Sequence, residues 1–110
     1  MTGESVRAFI AALIVMCTVP LSMQSGFAQD SKKIQAGESV YNNYCSSCHG
    51  EKMVSSGQSF DLRRLRAADR SRYDKSMYNG TGQMPPWKGA LTGEEIDQIW
   101  HYIRANAFEK

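Results

Sequence analysis

The middle of the chain carries an apolar stripe with the spacing of an α-helix. Its members fall three and four positions apart and are Ile34, Gly37, Val40, Tyr41 and Tyr44. Residues at this spacing share one face of a helix. We therefore predict an amphipathic helix from about residue 31 to residue 44.

A second stripe lies near the end of the chain. Thr92 and Glu95 have the spacing of a capping box, in which each side chain satisfies a backbone N–H at the start of a helix. The apolar positions that follow are Ile96, Ile99, Trp100 and Ile103. We predict a helix from the capping box to about residue 107.

A shorter helix is predicted between these two, over residues 70–79. Asp69 has a side chain suited to capping its first turn, and Gly80 is a typical helix stop. The segments 50–61 and 80–90 are rich in turn residues and lack a period, and no run alternates long enough to indicate a sheet. The predicted fold is all-α, with about three helices and long loops.

An apolar run of 12 residues, Ala8–Val19, lies near the N-terminus. A membrane-spanning helix needs about 20 residues, whereas the core of a signal peptide needs about 7–15. Gly26-Phe27-Ala28 supplies the small residues of a cleavage site. We therefore expect residues 1–28 to be a secretion signal and residues 29–110 to be the mature domain. The alternatives are a short buried helix and an uncleaved anchor.

The composition is that of a small globular domain. Apolar residues make up 42% and charged residues 22%, which excludes a disordered chain. Thirteen Lys and Arg against eleven Asp and Glu give a net charge of +2, too small for nucleic-acid binding. The 82 residues of the expected mature domain build only a marginal core, so a bulky cofactor is expected at its centre.

Loss of the signal would remove Cys17 and leave two cysteines, in Cys45-Ser46-Ser47-Cys48-His49. Two thiols three positions apart on one helical turn can reach both vinyl groups of a porphyrin, and the next imidazole can point at the iron. A thioredoxin-like site would need a βαβ pattern, a zinc site would need four ligands, and a plain disulfide would leave His49 without a role. The motif predicts one covalently attached c-type haem, with His49 as an axial iron ligand.

Three methionines follow the motif and could supply the second axial ligand. Met53 is too close to His49 for the chain to reach the opposite haem face, and Met77 lies within the predicted helix 70–79. Met84 lies 35 residues after His49, in a loop that Pro85 and its neighbouring proline stiffen. We predict Met84 as the second ligand; the alternative is a packing residue.

These motifs together resemble those of mono-haem class I cytochromes c of the bacterial c6, c550 and c551 kind. The resemblance covers essentially all of residues 29–110 and rests on residues 37–50, 82–87 and 91–102. It implies a small all-α fold around one haem. It also implies that the first and last helices cross near Gly37, where Trp100 or Tyr102 packs close.

The chain departs from that family just after the haem-binding histidine. Many members have a proline there, and its carbonyl accepts the Nδ1–H of the imidazole. The segment 51–57 contains no proline. The group that orients His49 is therefore unassigned by the sequence, although it affects ligand basicity and reduction potential.

Iron held by both His49 and Met84 has no position free for a substrate, so we expect one-electron transfer and no enzymatic activity. The sulfur ligand, and apolar neighbours such as Leu62, Leu65 and Trp87, favour a high potential. The expected role is a periplasmic carrier between a dehydrogenase or respiratory complex and an acceptor such as a terminal oxidase. The alternatives are a small haem peroxidase or gas sensor with a labile Met84, and a permanent cytochrome subunit of a dehydrogenase.

A basic segment, Arg63–Lys75, is the predicted docking surface. With Asp61 just before it, this stretch has a local charge of +3, which favours encounter with an acidic patch on a redox partner. The alternatives are a solvated helix face and an arginine that neutralises the haem propionates. Trp87 could donate to a propionate or simply pack, and His101 is expected to be a surface or packing residue. We expect a monomer that binds no nucleic acid and is not inserted in a membrane after signal cleavage.

Overall fold

The structure, a computed structural model, describes the backbone from Ser22 and the side chains from Asp30. The apolar run Ala8–Val19, and with it Cys17 and most of the predicted signal, lies outside the described residues. Within the described part, no helix combines the length and the apolar character needed to cross a bilayer.

Four helices follow one another along the described chain, with no strand among them, so the predicted all-α fold is confirmed. They are α1 (Ser22–Tyr44), α2 (Ser46–His49), α3 (Arg70–Asn79) and α4 (Gly93–Asn106). Short 3₁₀ turns at Glu51–Met53, Leu62–Arg64 and Ala67–Asp69 interrupt the connection from α2 to α3, which the sequence predicted as loop.

Helix α1 begins earlier than predicted, at Ser22 instead of about residue 31. The apolar stripe starts only at Ile34, but the residues before it contain no proline and nothing else that must end a helix. The predicted cleavage site, Gly26-Phe27-Ala28, therefore lies within α1 of the full chain. At the other end of the stripe, Tyr44 is 48% exposed and does not join the core.

Helices α1 and α4 cross at Gly37. A Cβ atom at this position would lie 1.9 Å from the carbonyl oxygen of Gln98, so only glycine permits the approach. The predicted crossing point is confirmed, and the atoms nearest to a side chain at Gly37 belong to the backbone of α4. Tyr102 packs on Tyr41, one helical turn beyond Gly37, with ring centroids 5.3 Å apart, and Trp100 packs on α3.

Helix α4 is the centre of the core, since its predicted stripe Ile96, Ile99, Trp100 and Ile103 is buried throughout. The predicted capping box is present: Glu95 N–H donates to Thr92 Oγ1 at 3.1 Å, and Thr92 N–H donates to Glu95 Oε1 at 3.0 Å. Tyr73 of α3 packs on Trp100, and its hydroxyl donates to the Ile96 carbonyl at 2.6 Å. This hydrogen bond fixes α3 on α4 inside an apolar environment.

An ion-pair cluster on the surface joins three helices at Asp97 of α4. Arg70 of α3 lies 2.8 Å from one Asp97 oxygen, and Lys33 of α1 lies 3.5 Å from the other. His101 of α4 is half-buried, with its Nδ1 2.9 Å from the Asp97 carbonyl oxygen, as expected for a surface or packing residue. Although partial burial opposes it, the hydrogen bond from Arg70 and the nearby cations hold the pKa of Asp97 below its usual value.

Helix α3 has its predicted bounds, but Asp69 does not cap it. The Asp69 carboxylate instead accepts the Arg66 backbone N–H at 2.8 Å, because it turns back toward the preceding 3₁₀ turn. Gly80 ends the helix as predicted, with a φ of 74° and its N–H donating to the Ser76 carbonyl at 2.9 Å.

Candidate cofactor cleft

The two cysteines follow α1 on one further turn of helix. Cys45 N–H donates to the Tyr41 carbonyl at 2.8 Å, and His49 N–H donates to the Cys45 carbonyl at 2.9 Å. Cys45 is buried, Cys48 is exposed, and both thiols are free. Before attachment of any group, burial, with the neighbouring Cys48 thiol as a smaller cause, raises the pKa of the Cys45 thiol to about 11.

His49 has a hydrogen-bond partner that the sequence did not indicate. Its Nδ1 lies 3.2 Å from the backbone carbonyl oxygen of Phe60. A carbonyl can only accept, so the contact places the proton on Nδ1 and leaves the lone pair on Nε2 free for a metal. Phe60 thus fills the place left by the missing proline, eleven residues beyond His49 instead of soon after it.

The loop that carries this carbonyl is held by its own hydrogen bonds. Ser55 Oγ donates to the Ser59 carbonyl at 2.8 Å and accepts the Gly57 N–H at 3.1 Å. The ring of Phe60 lies under the Arg72 guanidinium, 4.9 Å from its centroid. Since every residue has a backbone carbonyl, no sequence signal could have selected Phe60; only the folding of the loop does.

The chain turns sharply after His49, and Tyr41 fixes the turn. Gly50 has a φ of 90°, and a Cβ atom there would lie 1.9 Å from the Val54 carbonyl oxygen. The fully buried Tyr41 donates its hydroxyl proton to the Gly50 carbonyl at 2.6 Å. Burial raises the pKa of Tyr41, so the hydroxyl keeps the proton that it donates.

Met84 lies in a tight turn whose backbone is fixed on both sides. Thr81 and Met84 exchange two backbone hydrogen bonds, of 2.9 and 3.1 Å. Beyond the prolines, Trp87 N–H donates to the Met77 carbonyl at 2.7 Å, which ties the loop to α3. The predicted rigidity of this loop therefore comes from backbone hydrogen bonds to α3 and within the turn as well as from the prolines.

All four residues predicted to hold the haem, Cys45, Cys48, His49 and Met84, line one cleft. The cleft has a volume of about 220 Å³ and is partly open to solvent. Its apolar walls are Tyr44, Phe60, Leu62, Leu65, Tyr73, Met77, Trp87, Ile99 and Ile103. An apolar cleft with two thiols, an imidazole and a thioether supplies the groups that attach a porphyrin and ligate its iron.

The other two methionines differ in their placement. Met53 is fully buried in the core and is not among the residues that line the cleft. Met77 is buried as predicted, yet it also lines the cleft. Both Met77 and Met84 are therefore sulfur donors on the cleft wall. No group of three or more His, Cys, Asp or Glu side chains gathers as metal ligands among the described residues, unlike in a zinc site.

The basic segment keeps only half of its cations free of ion pairs. Arg63 pairs with Asp61 at 2.9 Å, and this hydrogen-bonded pair lowers the pKa of Asp61. Arg66 pairs with Asp69, and Arg70 with Asp74 and Asp97. Among the described residues, those of the segment without an ion pair are Arg64, Arg72 and Lys75.

Comparison with known proteins agrees with this geometry. The family described as cytochrome c oxidase, cbb3-type, subunit III matches residues 32–103. The chain is 30% identical over 79 residues to cytochrome c6 of Euglena viridis, covering 91% of that protein and 66% of this chain. No solved structure gives a significant match.

Two larger proteins carry a similar segment. The quinohemoprotein alcohol dehydrogenases ADH-IIG and ADH IIB of Pseudomonas putida are 34% and 32% identical over 84 and 81 residues. These matches cover 74% and 71% of this chain, but the chain spans only 12% of either dehydrogenase. The helical fold, the cleft and the relatives agree with the motif, and the chain belongs to the mono-haem class I cytochromes c, electron-transfer domains with one covalently bound c-type haem.

Proposed function

We propose that this protein is a periplasmic electron carrier whose haem is attached through Cys45 and Cys48 and ligated by His49 and Met84. The observation that carries the proposal is the position of these four side chains on the wall of a single apolar cleft. The bound haem iron supplies one-electron exchange between its ferrous and ferric states. Everything else in the proposal is done by side chains and backbone of this chain.

Each residue has a separate task in the cleft. The thiols of Cys45 and Cys48, on one turn of helix, hold the porphyrin in place. His49 presents Nε2, because its Nδ1–H is directed at the Phe60 carbonyl. Met84 presents its thioether from a turn that two backbone hydrogen bonds with Thr81 close. Little backbone freedom is therefore lost when the Met84 sulfur binds the iron.

The apolar walls of the cleft exclude water. Leu65, Ile99 and Ile103 are buried and line it together. A surrounding of low dielectric disfavours the extra positive charge of the oxidised centre, and the thioether has the same effect. Both features favour a high reduction potential and an occupied iron coordination sphere. An electron carrier needs no free position on the iron, whereas a haem enzyme needs one for its substrate.

The proposed donor is a dehydrogenase. Two quinohemoprotein alcohol dehydrogenases contain a segment similar to this chain. The unpaired cations Arg64 and Lys75 give the partner an electrostatic guide. The same similarity supports a second candidate, a cytochrome subunit bound permanently to one dehydrogenase.

Absorption spectra of the holoprotein and its variants test the ligands. Haem that survives denaturing electrophoresis in the parent protein, and is lost when Cys45 and Cys48 are both changed to Ser, supports the attachment. Met84→Ala should bind carbon monoxide readily in the reduced state, whereas the parent and the matched variant Met77→Leu should not. Ready binding by the parent would replace the carrier with the gas-binding or peroxidase alternative, and loss of the ligand in Met77→Leu would move the sulfur donor to Met77.

Rates and molecular size test the partner and location. Lys75→Glu should slow reduction by a purified quinoprotein dehydrogenase at low salt, and the effect should vanish at high salt. Lys32→Glu, an exposed change on α1 outside the basic segment, is the control. Gel filtration of native material separates the free monomer from the permanent subunit. A mature N-terminus at Gln29, in periplasmic extracts, would support the signal; material retaining residues 1–28 would refute it.

A further inference from the structure

The Phe60 carbonyl that faces His49 belongs to a short segment of the cleft wall. This segment, residues 60–65, also contributes Leu62 and Leu65 to the cleft, and its regular structure is one 3₁₀ turn. A segment with so few hydrogen bonds of its own keeps its position only when neighbouring elements hold it. The geometry at His49 therefore depends on the groups that hold residues 60–65.

The end of α4 and the residues after it hold this segment. Arg104 Nη1 donates to the Leu65 carbonyl at 2.6 Å, and Phe108 N–H donates to the Arg63 carbonyl at 2.9 Å. The guanidinium of Arg63 lies over the Phe108 ring, 4.6 Å from its centroid. Because Arg104 Nη2 donates to the Glu109 carbonyl at 2.9 Å, one planar group ties the segment to the chain beyond α4.

Among the described residues, Arg104 serves backbone carbonyls and pairs with no carboxylate. Its side chain is half-buried and does not line the cleft. We propose that Arg104, together with the Phe108 N–H, is a positioning residue for His49. By fixing residues 60–65, it keeps the Phe60 carbonyl within hydrogen-bond distance of Nδ1. The inference rests on the proposed role of His49 as an iron ligand and adds a residue that acts on that ligand from outside the cleft.

The expected consequence is a change in reduction potential. An Nδ1–H bonded to a carbonyl makes Nε2 a stronger donor, which stabilises the oxidised iron. Arg104→Gln should weaken that bond and shift the equilibrium toward the reduced protein by about threefold against a reference couple, about 28 mV for one electron. Loss of a positive charge by itself acts in the opposite direction, so a shift toward the oxidised protein would contradict the inference.

A matched pair at Phe108 tests the same segment without any change of charge. Phe108→Pro removes the N–H and the ring, whereas Phe108→Ala removes the ring alone. Ala107 already has the extended backbone that a residue before proline needs, with φ of −66° and ψ of 150°. Phe108→Pro should shift the potential in the same direction as Arg104→Gln, and Phe108→Ala should shift it less. Equal shifts in the pair would contradict the role given to the N–H.

Arg104→Lys separates positioning from the charge at the end of the helix. A cation in the last turn of α4 stabilises the helix whether it is Arg or Lys, but only Arg has the planar fork that reaches two carbonyls. Arg104→Lys should therefore restore only part of the parent potential. Full recovery would assign the effect to the helix-end charge and overturn the inference.

Hydrogen exchange in the reduced, ¹⁵N-labelled holoprotein follows the two links separately. The Leu65 N–H, bonded to the Leu62 carbonyl at 3.1 Å, reports on the segment, and the His49 Nδ1–H reports on the ligand. Both should exchange at least about threefold faster in Arg104→Gln. Asn106→Ala is the control, since it removes a side-chain hydrogen bond that stays within α4, and it should change neither rate.

An unchanged His49 Nδ1–H rate in Arg104→Gln, or an equal increase in Asn106→Ala, overturns the inference while the haem stays attached. Loss of covalent haem or of the His49–Met84 spectrum in the parent protein would instead overturn the proposed site itself.

Discussion

Replacing Gly37 with alanine should destabilise the protein strongly, because it separates the two helices that form the centre of the fold. The added Cβ would lie 1.9 Å from the Gln98 carbonyl oxygen, 2.5 Å from its carbon and 3.0 Å from the Ile99 nitrogen. All three are backbone atoms, so no side-chain rotation relieves the clash, and α1 must move from α4 by roughly 1 Å or more.

Overpacking of this kind costs typically about 1–3 kcal/mol, and a clash with backbone belongs at the upper end. Alanine returns up to about 1 kcal/mol through its higher helix propensity. The net loss should therefore be about 2 kcal/mol, which lowers the melting temperature of a domain of this size by roughly 8–16 °C. Thermal unfolding of the holoprotein, followed by far-ultraviolet circular dichroism, measures it.

Gly93→Ala is the matched control, since Gly93 is also in a helix. Its added Cβ would meet only the Tyr78 hydroxyl, at 3.4 Å, which is ordinary contact. The control should melt at the parent temperature or slightly above it. If Gly37→Ala melts within a few degrees of Gly93→Ala, the close crossing of α1 and α4 does not exist as described.

Three further changes test particular contacts. Tyr41→Phe removes the hydroxyl that donates to Gly50, so it should cost about 1–2 kcal/mol in a denaturant titration, whereas Tyr78→Phe, at a ring 37% exposed, should cost almost nothing. Gly80→Ala forces a side chain onto a backbone with φ of 74° and places its Cβ 2.8 Å from the Met84 carbonyl oxygen. We expect a loss of about 1–3 kcal/mol in stability and a weakened sulfur-ligand absorption band. Gly82→Ala, with open space around it, should show a smaller loss of stability and a smaller change of the band. Asp97→Asn should cost about 1 kcal/mol at pH 7 and progressively less below pH 4. The pKa of Asp97 is lower in the folded protein than in the unfolded chain, so its contribution to stability is lost as pH falls through the folded value. A melting-temperature difference between the two proteins that stays constant from pH 6 to pH 3 would contradict this.

The sequence determined the helices and the chemistry that depends on local spacing. The apolar period and the capping box of Thr92 and Glu95 predicted α4, and Gly80 predicted the end of α3. The cysteine motif and the Met84 loop predicted the family without any knowledge of the fold. Each of these signals lies within a few consecutive turns of chain, where periodicity and side-chain type are sufficient.

The tertiary structure decided which distant groups meet. It alone selected the Phe60 carbonyl as the partner of His49, brought both Met77 and Met84 to the cleft wall, and paired Arg70 with Asp97. Among the described residues, it also left Arg72 as the only Lys or Arg that lines the cleft. Every residue has a backbone carbonyl, so the sequence does not indicate which one accepts a given hydrogen bond. It shows that an arginine is charged but does not show which carboxylate pairs with it. These contacts depend on loop paths and helix crossings that no local pattern encodes.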